Sequence, residues 1–227
     1  MSRPRVPVPR FSRSETARAE AFSDGVFAIA VTILVLGLAT PPHRPGSLGH
    51  ALARQWPAYL GYVASFSYIA VIWLNHHQAF VRIRNMDRGL HAANLFLLFT
   101  TAALAFPTAV VAEALKADVS GTDARIAVAL YAGIAAAMCL SWTTLYHHLN
   151  RHPELLDGSV EPTYVRHGLV RSWSGLLLYT IAGVVGDLVT PLIALAVFIL
   201  LPAFFFVTSE GLPGDRTLPA AESSRAP

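Results

Sequence analysis

Six apolar segments, each close to the length of a membrane-spanning helix, dominate this sequence and restrict its fold. A helix needs roughly 20 apolar residues to cross the hydrocarbon core of a bilayer. Hydrophobic residues make up 54% of the 227 residues and charged residues 14%, whereas soluble domains carry about 25% charged residues. The sequence therefore predicts an all-α membrane protein with six transmembrane helices per subunit, near residues 20–39, 57–80, 91–114, 125–147, 168–187 and 190–208.

The polar segments divide the chain into three parts. An arginine-rich N-terminus occupies residues 1–19, the six-span domain residues 20–208, and a tail residues 209–227. The tail has few apolar residues and is rich in Pro, Ser and Gly, so we expect it to be disordered. The single cysteine, Cys139, excludes an intramolecular disulfide and gives no cysteine-based metal cluster.

Positive charges are unevenly distributed between the two sides of the predicted bundle. If the N-terminus is cytoplasmic, thirteen of the 17 Lys and Arg residues lie on the inner side and four on the outer side. Cytoplasmic loops carry the excess of positive charge in membrane proteins. The sequence thus predicts a multi-pass protein of the plasma membrane with both termini in the cytoplasm. Because the arginines cluster at span ends, they indicate topology and not nucleic-acid binding.

The first span carries a carboxylate, Asp24, about one turn inside the bilayer. An ionised Asp costs roughly 2.5–3.5 kcal/mol at the centre of a membrane helix, so Asp24 needs partners. The next two spans place Trp73, His76, His77 and Asn94 at a similar depth. We therefore predict a polar network joining three helices, in which Asp24 accepts from indole or imidazole N–H groups and from Asn94. A merely interfacial role stays open for the two histidines.

The opposite face of the first span is apolar except for one hydroxyl. At 100° per residue, Phe22 lies on this face and Asp24 lies about 140° from it. Such a face commonly contacts lipid or packs against another helix. If several subunits gather around an axis with this face inward, it forms a hydrophobic constriction. Periodicity alone leaves both alternatives open for this first-span stripe, which consists of Ile29, Thr32, Ile33 and Leu36.

Three stretches of the sequence resemble a known family. Residues 18–30 (RAEAFSDGVFAIA) are similar to the signature of the prokaryotic members of the transmembrane protein 175 family of potassium channels. Residues 73–77 (WLNHH), Asn94 and residues 106–108 (FPT) resemble the second and third spans of that family. The similarity extends over the whole six-span layout, although the specific motifs fall between residues 18 and 108.

The resemblance implies a homotetramer of six-span subunits around a central pore lined by the first span. Ordinary potassium channels carry a TVGYG filter, which this family and this sequence lack. By position, Ile29 would be the narrowest point, Thr32 a hydroxyl layer, and Ile33 and Leu36 further hydrophobic layers. The motif would hold the pore helix in place through a network of Arg18, Phe22, Ser23, Asp24, Trp73, Asn94 and His76 or His77. The partners implied are further copies of the chain, membrane lipid and permeant potassium, with no cofactor, metal or nucleic acid.

Three functions are compatible with these residues. The leading hypothesis is a passive, potassium-selective cation channel of modest selectivity. The alternative is a proton-permeable or proton-coupled cation transporter in which Asp24 and His76 or His77 relay protons. An intramembrane enzyme is disfavoured, because the sequence has no HExxH pattern and no Ser or Cys nucleophile beside a base.

Overall fold

The computed structural model describes residues 13–207, and within this range the chain is helical without a named β-strand. An isolated antiparallel bridge joins Ile83 to Leu156. The prediction of an all-α chain is confirmed. The helices are α1 (Arg13–Ile33), α2 (Leu48–Ala53), α3 (Trp56–Arg82), α4 (Arg88–Ala103), α5 (Ala105–Ala117), α6 (Thr122–Arg151), α7 (Pro162–Leu188) and α8 (Pro191–Val207), with 3-10 turns at Leu34–Gly37 and Pro153–Leu155.

Five helical segments are long and apolar enough to cross a membrane: Glu15–Gly37, Trp56–Arg82, Arg88–Ala117, Thr122–Arg151 and Pro162–Leu188. They contain most of the first five predicted spans and extend several of them by a few residues. The sixth predicted span corresponds to α8, an apolar helix of 17 residues. At 1.5 Å per residue α8 is about 26 Å long, slightly less than a hydrocarbon core of about 30 Å. The predicted tail and residues 1–12 lie outside the described residues.

The third predicted span is an interrupted helix. Hydrogen bonding of the α-helical type stops between α4 and α5 at Leu104, although its backbone keeps helical dihedrals. Pro107 explains the interruption, because it has no N–H to donate to the carbonyl of Ala103 and its ring crowds that group. The next carbonyl, that of Leu104, accepts from both the backbone N–H and the hydroxyl of Thr108, over 3.3 Å and 2.7 Å.

Helices α6, α7 and α8 approach one another closely. A Cβ added to Gly183 would lie 2.6 Å from the Cβ of Ala132, and one added to Gly168 would lie 2.5 Å from the Tyr146 ring. Membrane helices often pack through such small residues, since little hydrophobic force drives them together in lipid. The glycines of α7 that make these close approaches are Gly168, Gly175, Gly183 and Gly186.

The first helix lies at the edge of this bundle and packs on α3 and α4. Only 22% of the residues in its most apolar window are buried, against 33–56% for the other four long segments. The residues that α1 and its 3-10 extension bury recur every three to seven positions: Thr16, Ser23, Phe27, Ala30 and Leu34. Much of the opposite face of α1, including Ile29 and Ile33, is therefore left exposed within a single subunit.

Candidate pore helix and its polar network

The uncovered face of α1 and its 3-10 extension is the first-span stripe. The side chains of Ile29 and Leu36 are 60% and 76% exposed, and those of Ile33 and Thr32 are exposed as well. The Thr32 hydroxyl donates to the Ile29 carbonyl over 2.9 Å. Its oxygen therefore presents lone pairs, and no proton, away from the helix. Arg18 and Phe22 are also exposed, at the beginning of the same helix.

A chain of hydrogen bonds fixes the buried face of α1. Asn94 Nδ2 donates to Ser23 Oγ over 3.0 Å, and Ser23 Oγ donates to the Ala19 carbonyl over 2.8 Å. Since Asn94 uses its amide nitrogen on Ser23, its Oδ1 must accept, and His76 Nε2 lies 2.9 Å from that oxygen. The direction of the chain thus requires a proton on His76 Nε2. Three helices are joined at a point where all three side chains are nearly inaccessible.

The ring of His76 is packed as an aromatic group. It stacks on Phe80 at a centroid distance of 4.1 Å and meets the edge of Phe27 at 5.1 Å. Its second nitrogen, Nδ1, has no hydrogen-bond partner among the described residues. A neutral imidazole protonated on Nε2 fits this site, because a second proton on Nδ1 would be buried without an acceptor.

Two carboxylates of α1 bind the partly exposed rim of α3. Trp73 Nε1 donates to Asp24 Oδ1 over 2.9 Å. One turn earlier, Glu20 Oε1 lies 3.0 Å from His77 Nδ1. The Trp73 and His77 rings stack with their centroids 6.0 Å apart, so the two contacts form one continuous strip.

The structure brings together most of the residues predicted for the network: Ser23, Asp24, Trp73, His76, His77 and Asn94. Its connections differ in one respect from the prediction, since Asn94 binds Ser23 and His76 and not Asp24. Arg18 and Phe22 are exposed, and among the described residues of one subunit neither forms a hydrogen bond or a ring contact with the network. Glu20 was not predicted, although its position four residues before Asp24 places both carboxylates on one helix face.

The family of the chain follows from its comparison with known proteins. Residues 18–104 match the family described as the endosomal/lysosomal potassium channel TMEM175. A protein of Streptomyces collinus named a potassium channel is 42% identical over 167 residues, which cover 73% of this chain and 80% of that protein. This chain belongs to the TMEM175 family. The resemblance read from the sequence motifs is confirmed.

Further comparisons extend this TMEM175 assignment to the fold. The crystal structure of a lysosomal potassium-selective channel TMEM175 homologue from Chamaesiphon minutus matches with a TM-score of 0.74 and 34% identity, over 87% of this chain and 99% of that chain. The human endosomal/lysosomal proton channel TMEM175 is 36% identical over 90 residues, which are 36% of this chain and 18% of that protein.

Membership of the TMEM175 family decides two of the questions that the sequence left open. The chain is a multi-pass membrane protein and a TMEM175-type ion channel. It is therefore not an enzyme, and the intramembrane enzyme considered above is excluded.

Proposed function

We propose that four copies of this chain, each with six spans, form a passive, potassium-preferring cation channel around an axis lined by α1. The observation that carries this proposal is the asymmetry of α1, which is held by polar contacts on one face and leaves an apolar stripe exposed on the other. These contacts keep the stripe turned away from the rest of the subunit, towards the place where copies of α1 would meet in the proposed tetramer. The bacterial relatives are named as potassium channels, which agrees with this proposal.

The first-span stripe has the chemistry of a hydrophobic gate. Ile29, Ile33 and Leu36 repeat over about 10 Å of helix, so four copies would form stacked apolar rings. Ions would pass these rings only when the pore is wide enough to fill with water. Thr32 adds one ring of oxygens whose lone pairs face outward. Such a ring favours cations over anions. Because the discrimination between potassium and sodium would come from side chains and not from a carbonyl filter, we expect modest selectivity.

The arrangement at the beginning of α1 supports the proposed topology. Arg18 and Phe22 are exposed on one subunit, where a neighbouring α1 or a water-filled vestibule would meet them. The distribution of Lys and Arg in the sequence supports a cytoplasmic location for this end of the bundle and for both termini, in the proposed plasma-membrane protein. The proposed channel consists of copies of this chain in membrane lipid and conducts potassium. It requires no cofactor.

Proton permeation is the second candidate, since a human relative is a proton channel and the network contains Asp24, His76 and His77. The hydrogen bonds favour a positioning role for these groups. Asp24 accepts from the Trp73 indole, which does not exchange protons at ordinary pH, and His76 is fixed in a chain that ends on a backbone carbonyl. This network also lies on the face of α1 opposite the stripe.

Bi-ionic recordings test the two candidates directly. Purified protein in a planar bilayer would be exposed to potassium on one side and sodium on the other, and the reversal potential would be measured. A shift towards the potassium equilibrium potential is the expected result. An absence of cation current, together with proton uptake into liposomes under a pH gradient, would overturn the proposal in favour of proton transport.

A further inference from the structure

A cluster of metal-binding side chains lies outside the pore helix, where α4 begins and α6 ends. One ligand atom from each of Asp87, His148 and His152 lies within 4.8 Å of the other two. Thr16 of α1 hydrogen-bonds the Arg84 carbonyl in the loop just before Asp87, so the cluster lies at the end of the bundle where α1 begins. This is the predicted cytoplasmic side.

The distances within the cluster are those of groups that already interact. His148 Nε2 lies 2.9 Å from both carboxylate oxygens of Asp87. The rings of His148 and His152 are one helical turn apart, with centroids 4.6 Å from each other. Histidines at positions i and i+4 face the same side of a helix, which is the spacing used by helical zinc sites. Glu154 Oε1 lies 3.1 Å from His152 Nδ1 and adds a second carboxylate at the edge of the cluster.

Two features of α4 hold the cluster in place. Asp87 is the N-cap residue, and its Oδ1 accepts from the backbone N–H of Leu90 over 2.7 Å. Gly89 leaves the first turn of α4 bare, and an added Cβ there would lie 2.3 Å from Cε1 of His148. The imidazole therefore occupies the space that a side chain at this position would fill. The carboxylate and the first imidazole are positioned by the fold and not only by each other.

The donor set of two imidazoles and one carboxylate suits zinc. Zn²⁺ binds histidine nitrogen and carboxylate oxygen at about 2.0–2.2 Å, which separates tetrahedral ligands by about 3.3 Å. The observed separations, from 2.9 Å for the hydrogen-bonded pair up to a maximum of 4.8 Å, bracket that value. The separations between ligand atoms would need to change by no more than about 1.5 Å to reach it. Magnesium and calcium prefer all-oxygen ligands and would not select this site.

We propose that Asp87, His148 and His152 form a site for a zinc-class divalent metal that ties the beginning of α4 to the end of α6. Glu154 orients His152 from outside the metal's immediate ligands, and the fourth position is open to water. The site belongs to the single subunit and does not depend on the proposed pore. Its occupation stabilises the helix that carries Asn94, about 10 Å further along α4.

Calorimetric titration of ZnCl₂ into the full-length protein, purified in detergent without a histidine tag, tests the site. We expect one ion per subunit. The variants Asp87→Asn, His148→Gln and His152→Gln should each bind zinc at least about tenfold more weakly, which is the smallest effect usual for disturbing a metal site. Zinc should raise the melting temperature of the unaltered protein and not that of these variants.

His147→Gln supplies the matched control, because His147 is exposed and adjacent to His148 but points to another face of α6. This variant should bind zinc as the unaltered protein does. Asp87→Asn keeps an efficient N-cap, so its elution profile in gel filtration should not change. Zinc affinity that is equal in all four variants, no bound zinc in the unaltered protein, or displacement of zinc by equal concentrations of magnesium would each overturn the proposal.

Discussion

At the scale of single residues, the contact between Asp24 and Trp73 helps to fix the rotation of α1, together with the buried bond between Ser23 and Asn94. The indole supplies an N–H to a carboxylate on the rim of the bundle. A hydrogen bond to a charged group contributes about 1.5–3 kcal/mol when buried, and less where solvent reaches it, as at Trp73, which is 39% exposed. The main effect of Trp73 is therefore to orient α1, and its contribution to the free energy of unfolding is small.

Replacing Trp73 by phenylalanine should lower stability and disturb assembly. Trp73→Phe keeps an aromatic ring but removes the donor to Asp24, and we expect a loss of about 1 kcal/mol. The melting temperature in detergent and the gel-filtration profile would measure both effects. Trp173→Phe is the matched control, since Trp173 lies exposed on α7. Equal behaviour of the two variants would show that the Asp24 contact does not hold α1.

The interaction of Asp87 with His148 should give stability a dependence on acid pH. Partial burial of Asp87 opposes its ionisation, but hydrogen bonds from Leu90 and His148 and the charges of His148 and His152 outweigh that effect. The pKa of Asp87 therefore lies below its ordinary value. A carboxylate with a lowered pKa stabilises the folded state above its unfolded pKa, and this contribution is lost as the pH falls through the folded pKa.

Comparison of the unaltered protein with Asp87→Asn measures this contribution. With a chelator present, the unaltered protein should melt at the higher temperature at about pH 5, and the difference should shrink towards about pH 3 as Asp87 is protonated. Both proteins retain an N-cap side chain, so the cap itself should cancel. A difference in melting temperature that is independent of pH would contradict the assignment.

At the scale of the helices, the glycines of α7 determine how closely it can approach α6. Gly183→Ala would place a Cβ 2.6 Å from Ala132. Overpacking of this kind costs about 1–3 kcal/mol, which exceeds the helix propensity of about 1 kcal/mol gained on replacing glycine. We expect a lower melting temperature. Gly133→Ala, on an open face of α6 with nothing within 4 Å, should leave the melting temperature unchanged or raise it. Equal shifts would exclude close packing as the cause.

The elements also show which parts of the structure the sequence can predict. The length and polarity of the apolar segments located the first five spans, and depth along each helix placed Asp24 beside Trp73 and His76 beside Asn94. Depth cannot specify which donor meets which acceptor, and this is why Ser23 replaced Asp24 as the partner of Asn94. The interruption at Leu104 depends on how the chain relaxes around Pro107. The i, i+4 spacing of His148 and His152 is visible in the sequence, but their contact with Asp87 requires two helix ends to meet, which no local pattern records.

At the scale of the whole molecule, a single subunit leaves the first-span stripe exposed, although hydrogen bonds to α3 and α4 hold the other face of α1. In a tetramer with α1 inward, the stripe would meet its own copies and enclose a path for ions. The same subunit has other exposed apolar faces, such as that of Ile181 on α7, which is 49% exposed. Lipid is expected to cover α7. Exposure alone does not distinguish a pore-lining stripe from a lipid-facing one. Measurements of ion conduction by variants do.

Shortening Ile29 should therefore change the current, whereas the same change on a lipid-facing helix should not. Ile29→Ala removes most of an apolar ring at the proposed narrowest point, so the constriction becomes wider and easier to wet. We expect a larger single-channel conductance and a reversal potential closer to zero with potassium and sodium on opposite sides. Ile181→Ala provides the matched control and should reproduce the unaltered protein in both measurements. Because Ile29 is 60% exposed in the subunit, its truncation should leave folding intact. Unaltered currents from a well-folded Ile29→Ala channel would place Ile29 outside the pore and leave the first-span stripe facing lipid.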